Sequence, residues 1–185
     1  MIVLEVDEGL VLREASVADA DELFALIESN RDYLGQWLIW VPAITSVDDE
    51  RDFLRFAATR WTQRAELHLL LVLDGRIIGT AGLPVIDHQA RTAEIGYLLA
   101  STYQGHGYMT RAVRVLQRFA FDELGCASVE IHCAIGNGAS RAIPERLGYR
   151  LAEIRPDGLV SGADARIEDM AVYVLDADDP GGEAR

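Results

Sequence analysis

Gln104-Gly105-His106-Gly107-Tyr108-Met109 lies between an alternating run, Arg91 to Leu99, and a run with helical spacing, Tyr108 to Leu124. At such a strand-to-helix junction the backbone amides and the positive end of the helix dipole face one spot, which suits a diphosphate. Glycines at 105 and 107 remove the side chains that would keep a phosphate off the backbone, and they allow positive φ. Two glycines in a loop also read as ordinary turn residues, so the flanks must decide. No lysine follows the second glycine, which excludes a P-loop, and Thr110 stands where a dinucleotide fingerprint would place its last glycine.

Upstream, Leu67 to Leu73, the turn Asp74-Gly75 and Arg76 to Val85 read as a hairpin with Gly79 and Gly82 as bulge positions. Arg91 to Leu99 adds a third antiparallel strand, whereas a dinucleotide site opens a parallel unit at its first strand. Further back come a first strand, Leu10 to Glu14, a helix opened by Ser16 and Asp19 and running through about Ser29, and a helical stretch from Tyr33 to Trp40 that Pro42 ends. Ser46 with Asp49 opens another helix, with Phe53, Leu54, Ala57 and Trp61 on its buried face. Downstream, the helix after the loop carries Val113, Leu116, Phe119 and Ala120 and stops at Gly125. Strand Ser128 to Ala134, helix Ala139 to Leu147, and strands Tyr149 to Ile154 and Arg166 to Leu175 follow. The expected fold is α+β in three layers: a mixed, mostly antiparallel central sheet of about six or seven strands flanked by helices. One domain spans 1–175, and 176–185 reads as a frayed tail.

The 185 residues, half hydrophobic and a quarter charged, suit one soluble domain. A net charge of −13 works against nucleic-acid binding; it either draws a cationic amine or simply keeps the protein soluble. No apolar run approaches the roughly 20 residues of a membrane span, and Glu5, Asp7 and Glu8 stand where an export signal would be basic. With only Cys126 and Cys133 there is no disulfide framework, and a cytoplasmic location is expected. His68, His88 and His106 show no metal-ligand spacing, and no metal is expected.

Three segments taken together carry a family resemblance. They are Asn30-Arg31-Asp32-Tyr33-Leu34-Gly35-Gln36-Trp37-Leu38, then Glu94-Ile95-Gly96-Tyr97-Leu98-Leu99 running into Gln104 to Thr110, then Asn137-Gly138-Ala139-Ser140-Arg141-Ala142-Ile143-Pro144-Glu145-Arg146-Leu147-Gly148-Tyr149. In this order the chain resembles the GCN5-related N-acetyltransferase (GNAT) superfamily, and within it the RimJ/RimL-like branch that acetylates ribosomal-protein N-termini. The resemblance implies acetyl-CoA as co-substrate. It implies that Tyr97, Leu98 and Leu99 hold the pantetheine arm through main-chain groups where the central strand parts from its neighbour. It further implies that Gln104, Gly105, His106, Gly107, Tyr108, Met109 and Thr110 hold the pyrophosphate, that Asn137 points at the cofactor arm, and that Ser140 lies near the thioester. By the same resemblance Asn30, Arg31, Tyr33 and Trp37 line the acceptor cleft; Trp37 and Trp40, three apart on one helical face, read equally as core, and Arg31 suits an acidic substrate.

The chain departs from the superfamily at Met109, where glycine or alanine is usual, and at Pro144, where many members place a tyrosine acid. Proline has no proton to give, which leaves Ser140 as the candidate acid, with a helix N-cap as its other reading. Glu94 is the candidate base, acting through water, unless it is an exposed strand carboxylate. The expected mechanism is direct attack by an amine, with a backbone amide near Leu98 polarising the thioester carbonyl. A covalent route through Cys133 competes with its reading as a small core residue, and His132 is expected on the opposite strand face. The acceptor is a protein N-terminus or a small amine such as a polyamine, amino acid or antibiotic. A catalytically silent acetyl-CoA-binding module is the rival encouraged by Pro144, and a homodimer remains open.

Overall fold

The computed structural model describes residues 1–178. Its sheet has eight strands in the order β1-β2-β3-β4-β5-β6-β8-β7. They are β1 (Val3–Asp7), β2 (Leu10–Glu14), β3 (Leu67–Leu73), β4 (Arg76–Asp87), β5 (Thr92–Leu99), β6 (Ser128–Ala134), β7 (Arg150–Ser161) and β8 (Arg166–Asp176). All neighbours are antiparallel except β5 and β6. The helices are α1 (Ala20–Ser29), α2 (Arg31–Leu34), α3 (Val47–Thr62), α4 (Tyr108–Asp122) and α5 (Gly138–Arg146).

The strand count exceeds the expectation by the edge strand β1. That segment alternates exposed and half-buried residues, and the half-buried Leu4 and Val6 pack with Ile2 against the α4 side of the core, an alternation that the sequence reading passed over. At the other edge β7 runs on to Ser161, past the expected Ile154, and residues 150–158 are exposed. The tail expected over 176–185 begins at the last residue of β8, and 179–185 lie outside the described residues.

Two cores sandwich the sheet. On one face Met109, Ala112, Val113 and Leu116 of α4 and Ile143 of α5 pack on Ile78, Ile95, Val129, Ile131 and Cys133. On the other, Leu23 and Ile27 of α1, Leu34 and Leu54 pack on Leu70, Val72, Ile77 and Leu98. The expected buried face of α3 holds at Leu54 and Ala57, while Phe53 is 36% exposed. Both expected capping boxes are present, Ser16 with Asp19 and Ser46 with Asp49.

The parallel pair decides the architecture. β5 and β6 stay in register only through Thr92↔Ser128, Ala93↔Val129 and Glu94↔Glu130. Beyond Glu94 each strand runs on without the other, held instead by β4 and β8, so a gap opens between them. β4 is irregular against both of its neighbours, at Leu71/Val72 of β3 and between Gly82 and Val85. Gly79 is required there, because a Cβ on it would stand 2.3 Å from Leu98 O and 3.1 Å from Leu99 Cα.

Candidate active site

At the foot of the gap the 104–107 loop enters α4. Gly105 and Gly107 take left-handed φ of 79° and 72°, and nothing lies within 4 Å of where a Cβ on Gly105 would sit. The first helical bond is Arg111 N–H to Gly107 O at 3.1 Å, no side chain caps the helix, and its first turn holds no acid. The amides from Gly105 to Thr110 therefore meet no acceptor among the described residues, and Gly105 to Gly107 are exposed. Such a set suits an anion, and a carboxylate here would have excluded one. His106 accompanies it, with its Nδ1 at 2.8 Å from Gln104 O and its ring stacked on Tyr108. Arg111, which the sequence reading missed, adds positive charge: it donates to His106 O at 3.1 Å and lies 3.3 Å from Asp7.

Along the gap the main chain of β5 is set by its pairing. Ala100 N–H donates to Ile78 O at 2.9 Å, so by strand alternation Gly96, Leu98 and Ala100 aim their main-chain groups at β4. Those of Tyr97 and Leu99 face the gap. The main-chain amides near Leu98 that are free to reach into the gap are therefore those of Tyr97 and Leu99, and Leu98 itself is committed to the ladder.

The two faces of the gap carry different chemistry. On the α4–α5 side stand Tyr97, Cys133 and Ser140. Asn137, not Ser140, caps α5: Asn137 Oδ1 accepts from Ser140 N at 3.1 Å, which removes the N-cap reading of Ser140. Asn137 Nδ2 has no protein partner among the described residues. Ser140 Oγ donates to Tyr97 Oη at 3.2 Å, and Tyr97 Oη donates to Ser140 O at 2.9 Å. Burial pushes the Cys133 thiol up to about 11, with the Ser140 hydroxyl and Arg141 opposing. A thiol so protonated at neutral pH is a poor nucleophile.

On the α1–α3 side Glu94, Glu130 and His132 converge. His132 Nε2 lies 2.7 Å from Glu130 Oε2, and Nδ1 lies 3.4 Å from Glu94 Oε2. Glu94 is 29% exposed in its side chain, between its two readings of base and open-surface carboxylate. Burial first, with Glu130 adding and His132 opposing, holds its carboxyl above the usual range. Strand alternation put His132 opposite Cys133, as expected, but its partnership with Glu94 needs the parallel register and had no signal in the sequence.

The amino-terminal candidates separate. Asn30 is 9% exposed; its Oδ1 accepts from Ser101 N and Oγ, both at 2.9 Å, and its Nδ2 donates to Leu26 O. Arg31 donates to Val41 O at 2.8 Å and Ile44 O at 2.6 Å while pairing with Glu28. Both side chains are engaged within the protein. Tyr33 accepts from Gln104 Nε2 and so joins α2 to the amide-lined loop. Trp37 is half-buried at the far end of β6: a Cβ on Gly136 would lie 3.9 Å from its ring and from Glu168 Oε1. Glu168, held by Ser161 Oγ, is a carboxylate beside Gly136 that no sequence pattern disclosed.

A sheet that opens beyond a short parallel pair, with free amides at the foot of the opening and a carboxylate on one of its faces, defines an acyl-transferring fold. Residues 9–150 match the acetyltransferase (GNAT) domain model. YdaF of Bacillus subtilis strain 168, provisionally named a ribosomal N-acetyltransferase, is 36% identical over 163 residues, covering 86% of this chain and 87% of YdaF. The ribosomal-protein-serine acetyltransferase of Escherichia coli K12 is 26% identical over 80% of this chain and 83% of its own length. Among solved structures, RimL, a ribosomal L7/L12 alpha-N-protein acetyltransferase in complex with coenzyme A, superposes with a TM-score of 0.91 at 22% identity, over 96% of this chain and 99% of RimL. The microcin C7 self-immunity acetyltransferase MccE, in complex with acetyl-CoA and AMP, gives 0.87 at 24%, over 92% and 94%. These two likenesses are of fold. The chain belongs to the GNAT acetyltransferase family, and it is an acetyl-CoA-dependent acetyltransferase.

Proposed function

We propose that this acetyltransferase modifies the N-terminal α-amine of a protein, a ribosomal protein being the acceptor that its similarity to YdaF and the Escherichia coli enzyme favours. The observation that carries the mechanism is the gap beyond Glu94↔Glu130, with a raised carboxylate on one face and a hydroxyl pair on the other. The amides of Gly105 to Thr110, with Gln104 beside them, hold the pyrophosphate. Main-chain groups of Tyr97 and Leu99 and the Asn137 amide hold the pantetheine arm, which brings the thioester, the reacting bond that acetyl-CoA supplies, to the gap.

A free α-amine titrates near 7.7 to 8.0, so losing its proton at neutral pH costs about 1 kcal/mol, against closer to 5 for a lysine. Glu94, relaying through water, is base enough for the first. The amine attacks the carbonyl carbon directly while the Tyr97 or Leu99 amide steadies the carbonyl oxygen. The C–S bond breaks, the nitrogen gives its remaining surplus proton to water, and the leaving sulfur takes the proton of Ser140 Oγ on the opposite face as that hydroxyl turns from Tyr97 Oη, the serine regaining a proton from solvent. Trp37 and Glu168 border the approach of the acceptor.

A small amine is the second acceptor class, favoured by the net charge of −13. No helix among the described residues is long and apolar enough to cross a membrane. The similarity to bacterial ribosomal-protein acetyltransferases favours a cytoplasmic location. The test is incubation with acetyl-CoA and, separately, ribosomal N-terminal peptides, polyamines and amino acids, followed by mass spectrometry. A 42-dalton-class acetyl gain on peptides supports the reading; gain on small amines alone overturns it.

A further inference from the structure

Pro144 lies inside α5, with the helix continuing beyond it through Leu147 N–H to Ile143 O at 3.1 Å. Any other residue at 144 would donate its N–H to the carbonyl four residues back, which is that of Ser140. Proline has no N–H, and its ring crowds that carbonyl and tilts it away from the helix axis. An orphaned carbonyl in a half-buried place is costly unless another donor reaches it. The donor present is the phenol of Tyr97, at 2.9 Å, which comes from β5 beyond the point where that strand has left β6.

This bond decides the direction of its neighbour. A carbonyl only accepts, so the phenol proton is committed to Ser140 O and the phenol oxygen is left to accept from Ser140 Oγ at 3.2 Å. Burial, first among the causes, pushes the Tyr97 hydroxyl far up, so it stays a neutral donor at any working pH. Both bonds span from the strand that carries the proposed carbonyl-polarising amide to the residue proposed to protonate the leaving sulfur.

We propose that Tyr97 is a positioning residue of acetyl transfer: its phenol replaces the helical hydrogen bond that Pro144 deletes and thereby holds the Ser140 hydroxyl at the gap between β5 and β6. The claim rests on the acetyl-transfer mechanism above and adds to it a residue acting through its side chain. It also accounts for a chain that lacks a tyrosine on α5: the phenol that α5 does not carry is supplied from β5 as a tether.

The test is a double-mutant cycle of Tyr97→Phe and Pro144→Ala, read by thermal unfolding and by steady-state kinetics. Tyr97→Phe alone leaves Ser140 O without a donor and is expected to lower Tm by about 3 °C. It should lower kcat about tenfold while the KM for acetyl-CoA stays within about twofold. Pro144→Ala restores an N–H aimed at Ser140 O, so in that background the Tm cost of Tyr97→Phe should fall to about 1 °C and most of the kcat loss should be recovered. Additive effects on Tm overturn the tether. A Tyr97→Phe kcat within about twofold of the unsubstituted protein overturns the positioning role. Absence of turnover with every amine in the unsubstituted protein instead strikes the acetyl-transfer reading, while the Tm cycle still decides the tether.

Discussion

Glu50 lies on α3 in the apolar layer beside the sheet, 1% exposed, with Oε1 lacking a hydrogen-bond partner among the described residues. Burial alone pushes its carboxyl from 4.5 up to about 7. Folding therefore favours the protonated acid. Its contribution to stability is whole below the unfolded value of 4.5 and is lost as pH climbs through about 7. At about 1.4 kcal/mol per pH unit the loss is roughly 3 kcal/mol. An effective dielectric nearer 20 than 4 reduces the expected figure to about 2 kcal/mol. Glu50→Met keeps the length and the helix propensity and removes the charge. Urea unfolding followed by tryptophan fluorescence, at steps from about pH 5 to 8.5, measures the difference between the two proteins, and groups common to both cancel. The variant should gain about 2 kcal/mol on the original across that interval, nearly all of it below about pH 7.5. A difference that stays flat with pH would show that Glu50 is hydrated or paired and that its burial does not raise its carboxyl.

Three further outcomes follow from the same geometry. Glu94→Gln should lower kcat about a hundredfold and abolish the acid limb of the pH–rate profile, a limb expected above the usual carboxylate range because the base works only when ionised; initial rates from about pH 5 to 9 check both. Gly79→Ala drives a Cβ against Leu98 O and Leu99 Cα, which are backbone and cannot turn aside, so Tm should fall by about 6 °C in calorimetry. Asn30→Ala strips Ser101 N of its partner and leaves Leu26 O with Ser29 Oγ alone, and should cost about 2 kcal/mol in urea unfolding, with peptide KM unchanged among the molecules that remain folded.

The elements near the site were legible where their signals are local. Gln104 to Met109 was readable together with its flanks, because a strand before the glycines and a helix after them leave free amides at a helix start. The capping pairs Ser16–Asp19 and Ser46–Asp49 and the strand Ser128–Ala134 were readable for the same reason. β1 was passed over although Ile2, Leu4 and Val6 alternate with Val3, Glu5 and Asp7, because a short alternation of only half-buried residues is a weak signal. Asn30 and Arg31 carry the right chemistry for a ligand, and nothing within their own segment says that Ser101, Val41 and Ile44 consume it.

The chain by itself determined the three layers, the strand-to-helix anion loop and the missing N–H at Pro144, because each depends on periodicity or on the covalent nature of a few neighbouring residues. Tertiary structure alone decided that β5 and β6 separate after Glu94, that His132 meets Glu94, and that Tyr97 answers the carbonyl freed by Pro144. Those pairings join residues far apart in the chain. They follow from register and packing, which a one-residue slip of a strand would reverse.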